Sequence, residues 1–175
     1  MKDFYINSSK TILRSKFLTV FIRLYSKAIT WVVATAYVGF LIYLGVTDSG
    51  INGIGNKTIL YRSILVPAVG FAIVSVFRKM VASKRPYELY EFTPVIKKNT
   101  VGKSFPSRHV FSIFILAVTF GQISVVAMIV AMALGTILAV VRVYGGVHFP
   151  KDVIAGAAIG ILSGVIGYLL LYFIG

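Results

Sequence analysis

From His109 to Val141 the chain carries no formally charged residue except its leading histidine. As one helix, at about 1.5 Å per residue, such a run is about 50 Å long, well beyond a bilayer core of about 30 Å. It must fold back on itself. Gly121 and Gln122 in "TFGQIS" supply the turn and divide the run into Ser107 to Phe120 and Ile123 to Val141. Water is the wrong surrounding for such segments. The 175 residues are 58% hydrophobic and the mean hydropathy is +0.89, too apolar for a soluble domain of this size.

Three more apolar segments extend the pattern. Ala28 to Val46 has no charge, Thr58 to Phe77 carries only Arg62 near one end, and Val153 to Ile174 closes the chain. At its position Arg62 is expected to snorkel to the headgroups. Gly156, Gly160 and Gly164 recur at four-residue spacing in the last segment, a smooth stripe that lets a neighbouring helix approach closely. The first 27 residues differ: Lys16, Arg23 and Lys27 share one helical face, with Phe17, Phe21 and Leu24 on the other side. Placing such cations at a bilayer centre costs about 2.5–3.5 kcal/mol each, which favours a helix lying in the interface. The expected fold is therefore all-α, a polytopic membrane helix bundle of five spans. It forms one domain over residues 1–175 with an interfacial amphipathic helix over 1–27, and a sixth crossing by residues 11–27 is the alternative. No signal-peptide cleavage site is evident.

Charge narrows the chemistry. Eighteen Lys and Arg oppose five Asp and Glu, a formal net charge of +13, and no cysteine is present. Disulfides, thiolate metal sites and cysteine nucleophiles are excluded by composition. The acids Asp3, Asp48, Glu88, Glu91 and Asp152 are too few and scattered for a carboxylate metal cage, so a reaction without metal or other cofactor is expected. With no nucleic-acid-binding signature, the bilayer and an anion at its surface are the expected partners.

Topology gathers the reactive groups. The polar segment Arg78 to Pro106 and the segment Arg142 to Asp152 are separated by one hairpin of two spans, so both emerge on the same membrane face. A headgroup-binding basic rim would account for the cations alone, but the two histidines point further. His148 and Asp152 are four apart, the spacing at which a carboxylate at a helix start reaches an imidazole, fixes its tautomer and supports charge on it. Imidazole is itself a nucleophile, and His148 is the expected one. His109 opens the third span behind Pro106 and Ser107. Ser107 is placed to cap that helix, whose first N–H groups, with Arg108, favour an anion that His109 can protonate. The fork of arginine suits phosphate, which makes Arg85, followed by a chain-stopping Pro86, and Arg142 the natural clamps.

Three clusters, "RKMVASKRP" (Arg78 to Pro86), "PSRH" (Pro106 to His109) and "VRVYGGVHFPKD" (Val141 to Asp152), resemble in order and spacing the K-x6-R-P, P-S-G-H and S-R-x5-H-x3-D signatures of the type 2 phosphatidic acid phosphatase superfamily. The resemblance runs from the second span to the C-terminus. It implies a membrane lipid-phosphate phosphatase working through phosphohistidine without metal. His148 attacks phosphorus, Asp152 orients it, His109 protonates the leaving oxygen, and Arg78, Arg85, Ser107 and Arg142 hold the phosphoryl oxygens. Undecaprenyl pyrophosphate, phosphatidylglycerol phosphate and phosphatidate are the substrates it suggests, with an apolar groove for the tail and a catalytic face outside the cytoplasm. The positive-inside rule, counted over the same basic residues, places that face in the cytoplasm instead.

Three positions depart from the signatures. Arg78 stands for the lysine, with Lys79 one place out of register as a possible substitute; Arg108 stands for the glycine, adding a phosphate contact or narrowing the site; Val141 stands for the serine, removing a hydroxyl. The alternatives are a lipid-to-lipid phosphotransferase and a non-catalytic lipid-binding membrane protein with a degenerate site. A transporter fits poorly, because the spans lack an ionisable residue away from their ends and no inverted repeat is evident.

Overall fold

Apolar chain in lipid satisfies its backbone polar groups within helices, and the computed structural model is accordingly helical throughout its regular structure. It describes residues 1–47, 55–98 and 100–174; Asp48 lies outside them. Seven helices occur in the described residues: α1 Lys2–Arg14, α2 Lys16–Val46, α3 Asn56–Val81, α4 Pro86–Tyr90, α5 Arg108–Phe120, α6 Val125–Tyr144 and α7 Pro150–Ile174. Helices α2, α3, α6 and α7 are each long and apolar enough to cross a membrane. The 13 residues of α5 reach only about 20 Å. Shorter than those four, α5 is also the most enclosed, packed on α2, α3, α6 and α7.

The glycine stripe explains how α5 is held. A Cβ at Gly156 would lie 2.6 Å from the Ser107 carbonyl oxygen, and one at Gly160 would lie 2.7 Å from that of Phe111. The backbones of α5 and α7 thus meet with no side chain between them, as small-residue stripes permit in lipid. Phe111, Ile115 and Ala117 are buried around this contact. The turn after α5 falls where expected: Gly121 follows Phe120, and Ser124 caps α6 by accepting from the Ala127 N–H at 3.2 Å.

Two interior polar bonds pin the outer helices. Pro67 lies inside α3 and has no N–H for the Ser63 carbonyl one turn back; Tyr37 of α2 donates its hydroxyl to that oxygen at 2.8 Å. Arg62 does not snorkel. It is buried and donates from Nη2 to the Leu171 carbonyl of α7 at 2.8 Å, which binds α3 to α7 through a backbone acceptor rather than to headgroups.

The N-terminal segment is divided differently from expectation. The helix breaks at Ser15, whose hydroxyl accepts from the Leu18 N–H at 3.3 Å, and residues 16–27 continue into α2 as one helix of 31 residues. Phe17, Phe21 and Leu24 remain exposed on it. The separate amphipathic piece is α1 alone, and it buries Tyr5, Ser9 and Ile12 against the end of the bundle where α3 and α6 finish and α5 and α7 begin. At 13 residues α1 is not among the helices long and apolar enough to cross a membrane, and residues 16–27 belong to α2, which is.

Candidate active site

The three sequence clusters meet at that end of the bundle, joined by backbone hydrogen bonds. The Ser104 N–H donates to the Ser83 carbonyl and the Ser107 N–H to the Asp152 carbonyl, each at 2.8 Å. Arg85 Nη1 donates to the Val147 carbonyl at 2.9 Å. Each signature thereby holds another in register.

His148 and Asp152 form the most enclosed part, 1% and 0% exposed. Nδ1 of His148 lies 3.6 Å from Oδ2 of Asp152, within ion-pair reach and at a separation that catalytic pairs shorten when substrate binds. The same Oδ2 accepts from Ser104 Oγ at 2.5 Å and from the Phe149 N–H at 2.9 Å, so the carboxylate cannot turn away. Behind the imidazole, Tyr5 of α1 donates its hydroxyl to the His148 carbonyl at 3.1 Å. Burial pushes the His148 imidazole down to about 3; Asp152 opposes this, while Arg142 and Arg85 reinforce it. At neutral pH the ring is uncharged and its lone pair is available for attack.

Around this pair stand the cations. Arg78, Arg85 and Arg142 are all buried. Arg85 donates from Nε to the Gly102 carbonyl and from Nη2 to the Lys103 carbonyl, both at 3.3 Å, and Arg78 Nη2 also bonds the Lys103 carbonyl. The 102–103 turn aims those carbonyls by adopting positive φ at both residues, +64° and +59°. Glu88 holds it in place, accepting the Gly102 N–H at 2.9 Å on Oε1 and the Arg85 N–H at 3.1 Å on Oε2. The Arg78 and Arg85 guanidiniums are oriented by neutral backbone carbonyls. Ser107 Oγ, Arg142 Nε and both ring nitrogens of His148 are buried without a hydrogen-bond partner. Ser107 sits at the N-cap of α5 but its hydroxyl makes no cap bond, contrary to expectation.

His109 stands half-buried in the first turn of α5, close enough to His148, Arg142, Lys98 and Arg108 for their charges to act on it. The departures resolve individually. Arg78 turns inward, whereas Lys79 is exposed, one residue and about 100° further round α3; Lys79 does not join the cluster. Arg108 lies at the rim, its guanidinium carbon 5.1 Å from the centroid of the Phe71 ring. Val141 is buried with Ile12, Ile22 and Val95 beneath the 92–98 segment, so its side chain serves that packing.

Ser104, Glu88, Tyr5 and Lys98 were not among the site residues read from the sequence. Glu88 had a signal, since an acid three residues after Arg85 and behind Pro86 fits a helix-start capping pattern. Ser104 and Tyr5 had none, because both act across the fold.

Comparison with known proteins gives consistent matches. The family model described as "PAP2 superfamily" matches residues 59–174. The bacitracin transport permease protein BcrC of Bacillus licheniformis is 29% identical over 108 residues, 57% of this chain and 51% of that protein; the match thus spans about half the length of this curated relative. The crystal structure of Aquifex aeolicus LpxE superposes with a TM-score of 0.71 at 22% identity, covering 95% of this chain and 93% of that one. The PAP2-type phosphatidylglycerolphosphate phosphatase of Bacillus subtilis gives 0.62 at 20% identity, covering 99% and 87%. At these identities the two structures establish a shared fold.

Proposed function

We propose, since the chain belongs to the PAP2 superfamily, that it is a multi-pass membrane phosphatase hydrolysing a phosphate monoester or diphosphate of a membrane lipid through a phosphohistidine, without metal. The observation that carries this reading is that Ser107 Oγ, Arg142 Nε and His148 Nε2 are buried without a hydrogen-bond partner, while the Ser107 N–H and the His148 ring both meet Asp152 and the charges of Arg142 and Arg85 reach His148. Fixed donors and a neutral nucleophile around a single point are what a transferring phosphoryl group requires.

In the first step Nε2 of His148 bonds to phosphorus and the ester P–O bond breaks, its electron pair staying on the leaving oxygen. His109 gives that oxygen a proton. As the imidazole takes the phosphoryl group it becomes cationic, and Asp152, held by Ser104 and the Phe149 N–H, stabilises it. His109, now a base, takes a proton from water, which attacks phosphorus and releases inorganic phosphate with neutral His148 restored. Arg78, Arg85, Arg142 and Ser107 hold the phosphoryl oxygens throughout, and Arg108 adds a contact from the rim.

The lipid tail lies in an apolar groove below His109, between α2, α3 and α5. Two cavities of about 310 and 300 Å³ share Phe71, Ser112 and Leu116 there, and Arg108 and His109 line the upper one. Undecaprenyl pyrophosphate, phosphatidylglycerol phosphate and phosphatidate are the substrates to assay. The catalytic face lies outside the cytoplasm, a placement that accessibility of Lys97 in intact cells tests. Phosphate release in EDTA by wild type and His148→Ala tests the function: wild type turns over and the variant does not. Activity that survives the substitution, or that EDTA abolishes, rules the reading out.

A further inference from the structure

We infer that Tyr5 of α1 is a positioning residue for the nucleophile: its hydroxyl holds the main chain of His148 and so sets where the imidazole meets phosphorus. The inference rests on the phosphatase reading above and adds to it a residue outside 59–174, the part that the family model matches.

His148 stands where no helix fixes it. Helix α6 ends at Tyr144 and α7 begins at Pro150, and the connection between them turns through Gly146 at a φ of +76°. The ring itself is loosely tied. Neither of its nitrogens has a hydrogen-bond partner, and the 3.6 Å from Nδ1 to the Asp152 carboxylate is longer than a hydrogen bond. The place of the imidazole thus depends on how the backbone beneath it is held. Two side chains distant in sequence hold its carbonyls: Arg85 donates to that of Val147 at 2.9 Å and Tyr5 to that of His148 at 3.1 Å. Nucleophile and phosphorus must meet in a narrow range of geometries, and misplacing reacting atoms by about 1 Å costs up to about a hundredfold.

Tyr5 is itself fixed in place. It is 1% exposed, with its ring edge-on to Phe149 at 5.7 Å and stacked on Phe92 at 5.9 Å between centroids, so the phenol oxygen cannot swing away from its acceptor. Burial, and then the charge of Asp152, hold the hydroxyl well above the usual phenol range, and at neutral pH it is a donor. A ring needed only to fill this space requires no hydroxyl. The same helix supplies its own control. One turn on, Ser9 Oγ donates to the Thr93 carbonyl at 2.5 Å, a bond of the same kind that docks α1 but ends on residue 93 rather than on the nucleophile.

Tyr5→Phe and Ser9→Ala, compared in the full chain in detergent micelles, test this on whichever of undecaprenyl pyrophosphate, phosphatidylglycerol phosphate and phosphatidate wild type hydrolyses fastest. Each variant removes one hydroxyl of α1 and keeps the rest of the helix. Tyr5→Phe is expected to lower kcat by about tenfold with KM within about twofold of wild type, because the substrate still binds and only the attack is misplaced. Ser9→Ala is expected to leave both constants within about twofold. A kcat in Tyr5→Phe within about twofold of wild type overturns the inference, as does a loss confined to KM. An equal loss of kcat in Ser9→Ala overturns it too, since docking of α1 then matters and the bond to His148 does not. Should Tyr5→Phe not fold, Tyr5→Met carries the same comparison. A wild type that hydrolyses no lipid phosphate is instead a failure of the phosphatase reading.

Discussion

Replacing Asp152 with asparagine keeps the shape of the side chain and removes its charge. In the transition state the His148 ring becomes a cation 3.6 Å from Oδ2. At an effective dielectric of about 20, two unit charges at that separation attract by about 4–5 kcal/mol. Losing this term only after the imidazole has become charged lowers kcat by about a thousandfold and leaves KM nearly unchanged. Ser104→Ala removes one charge-assisted bond to the same oxygen and is expected to cost about tenfold. The assay is steady-state phosphate release from a lipid phosphate in micelles, with circular dichroism confirming the helical fold of each variant. Folded Asp152→Asn protein within tenfold of wild type in kcat refutes the assigned role.

Other outcomes follow from the same geometry. Gly156→Ala drives a Cβ against the Ser107 backbone and is expected to destabilise by about 1–3 kcal/mol, lowering Tm in detergent, while Gly39→Ala, with nothing within 4 Å, does not. Because the folded pKa of His148 is about 3 against 6.5 unfolded, the unfolded chain binds the extra proton. The stability this histidine contributes is full above about pH 6.5 and is lost toward pH 3 at up to about 1.4 kcal/mol per unit, so Tm falls less steeply with acid in His148→Asn than in wild type. Glu88→Gln weakens the hold on the Gly102 N–H and is expected to lower kcat/KM about tenfold, with far-ultraviolet circular dichroism unchanged.

Much of the site was legible because its chemistry is local. His148 and Asp152 sit one helical turn apart, and Ser107 and His109 flank a helix start, so spacing alone brings each pair together. One uncharged run that had to fold back put all three clusters on one face, and the glycine stripe announced the close contact of α7. The rest depends on partners distant in the chain. Nothing around Tyr5 says that its hydroxyl will meet the His148 carbonyl, 143 residues away. Arg62 was read by its nearness to a helix end, whereas a carbonyl on α7 offers it a bond inside the bundle. The break at Ser15 was missed because a serine cap competed with a charge pattern that continued through it.

The central claim is that one phosphoryl group passes to His148. Rapid alkaline quenching during turnover of a ³²P-labelled lipid phosphate, followed by peptide mass spectrometry, tests it directly. The expected result is a base-stable, acid-labile phosphate on His148 in wild type, absent from His148→Ala. Full turnover with no label on His148, or label on another residue, contradicts it.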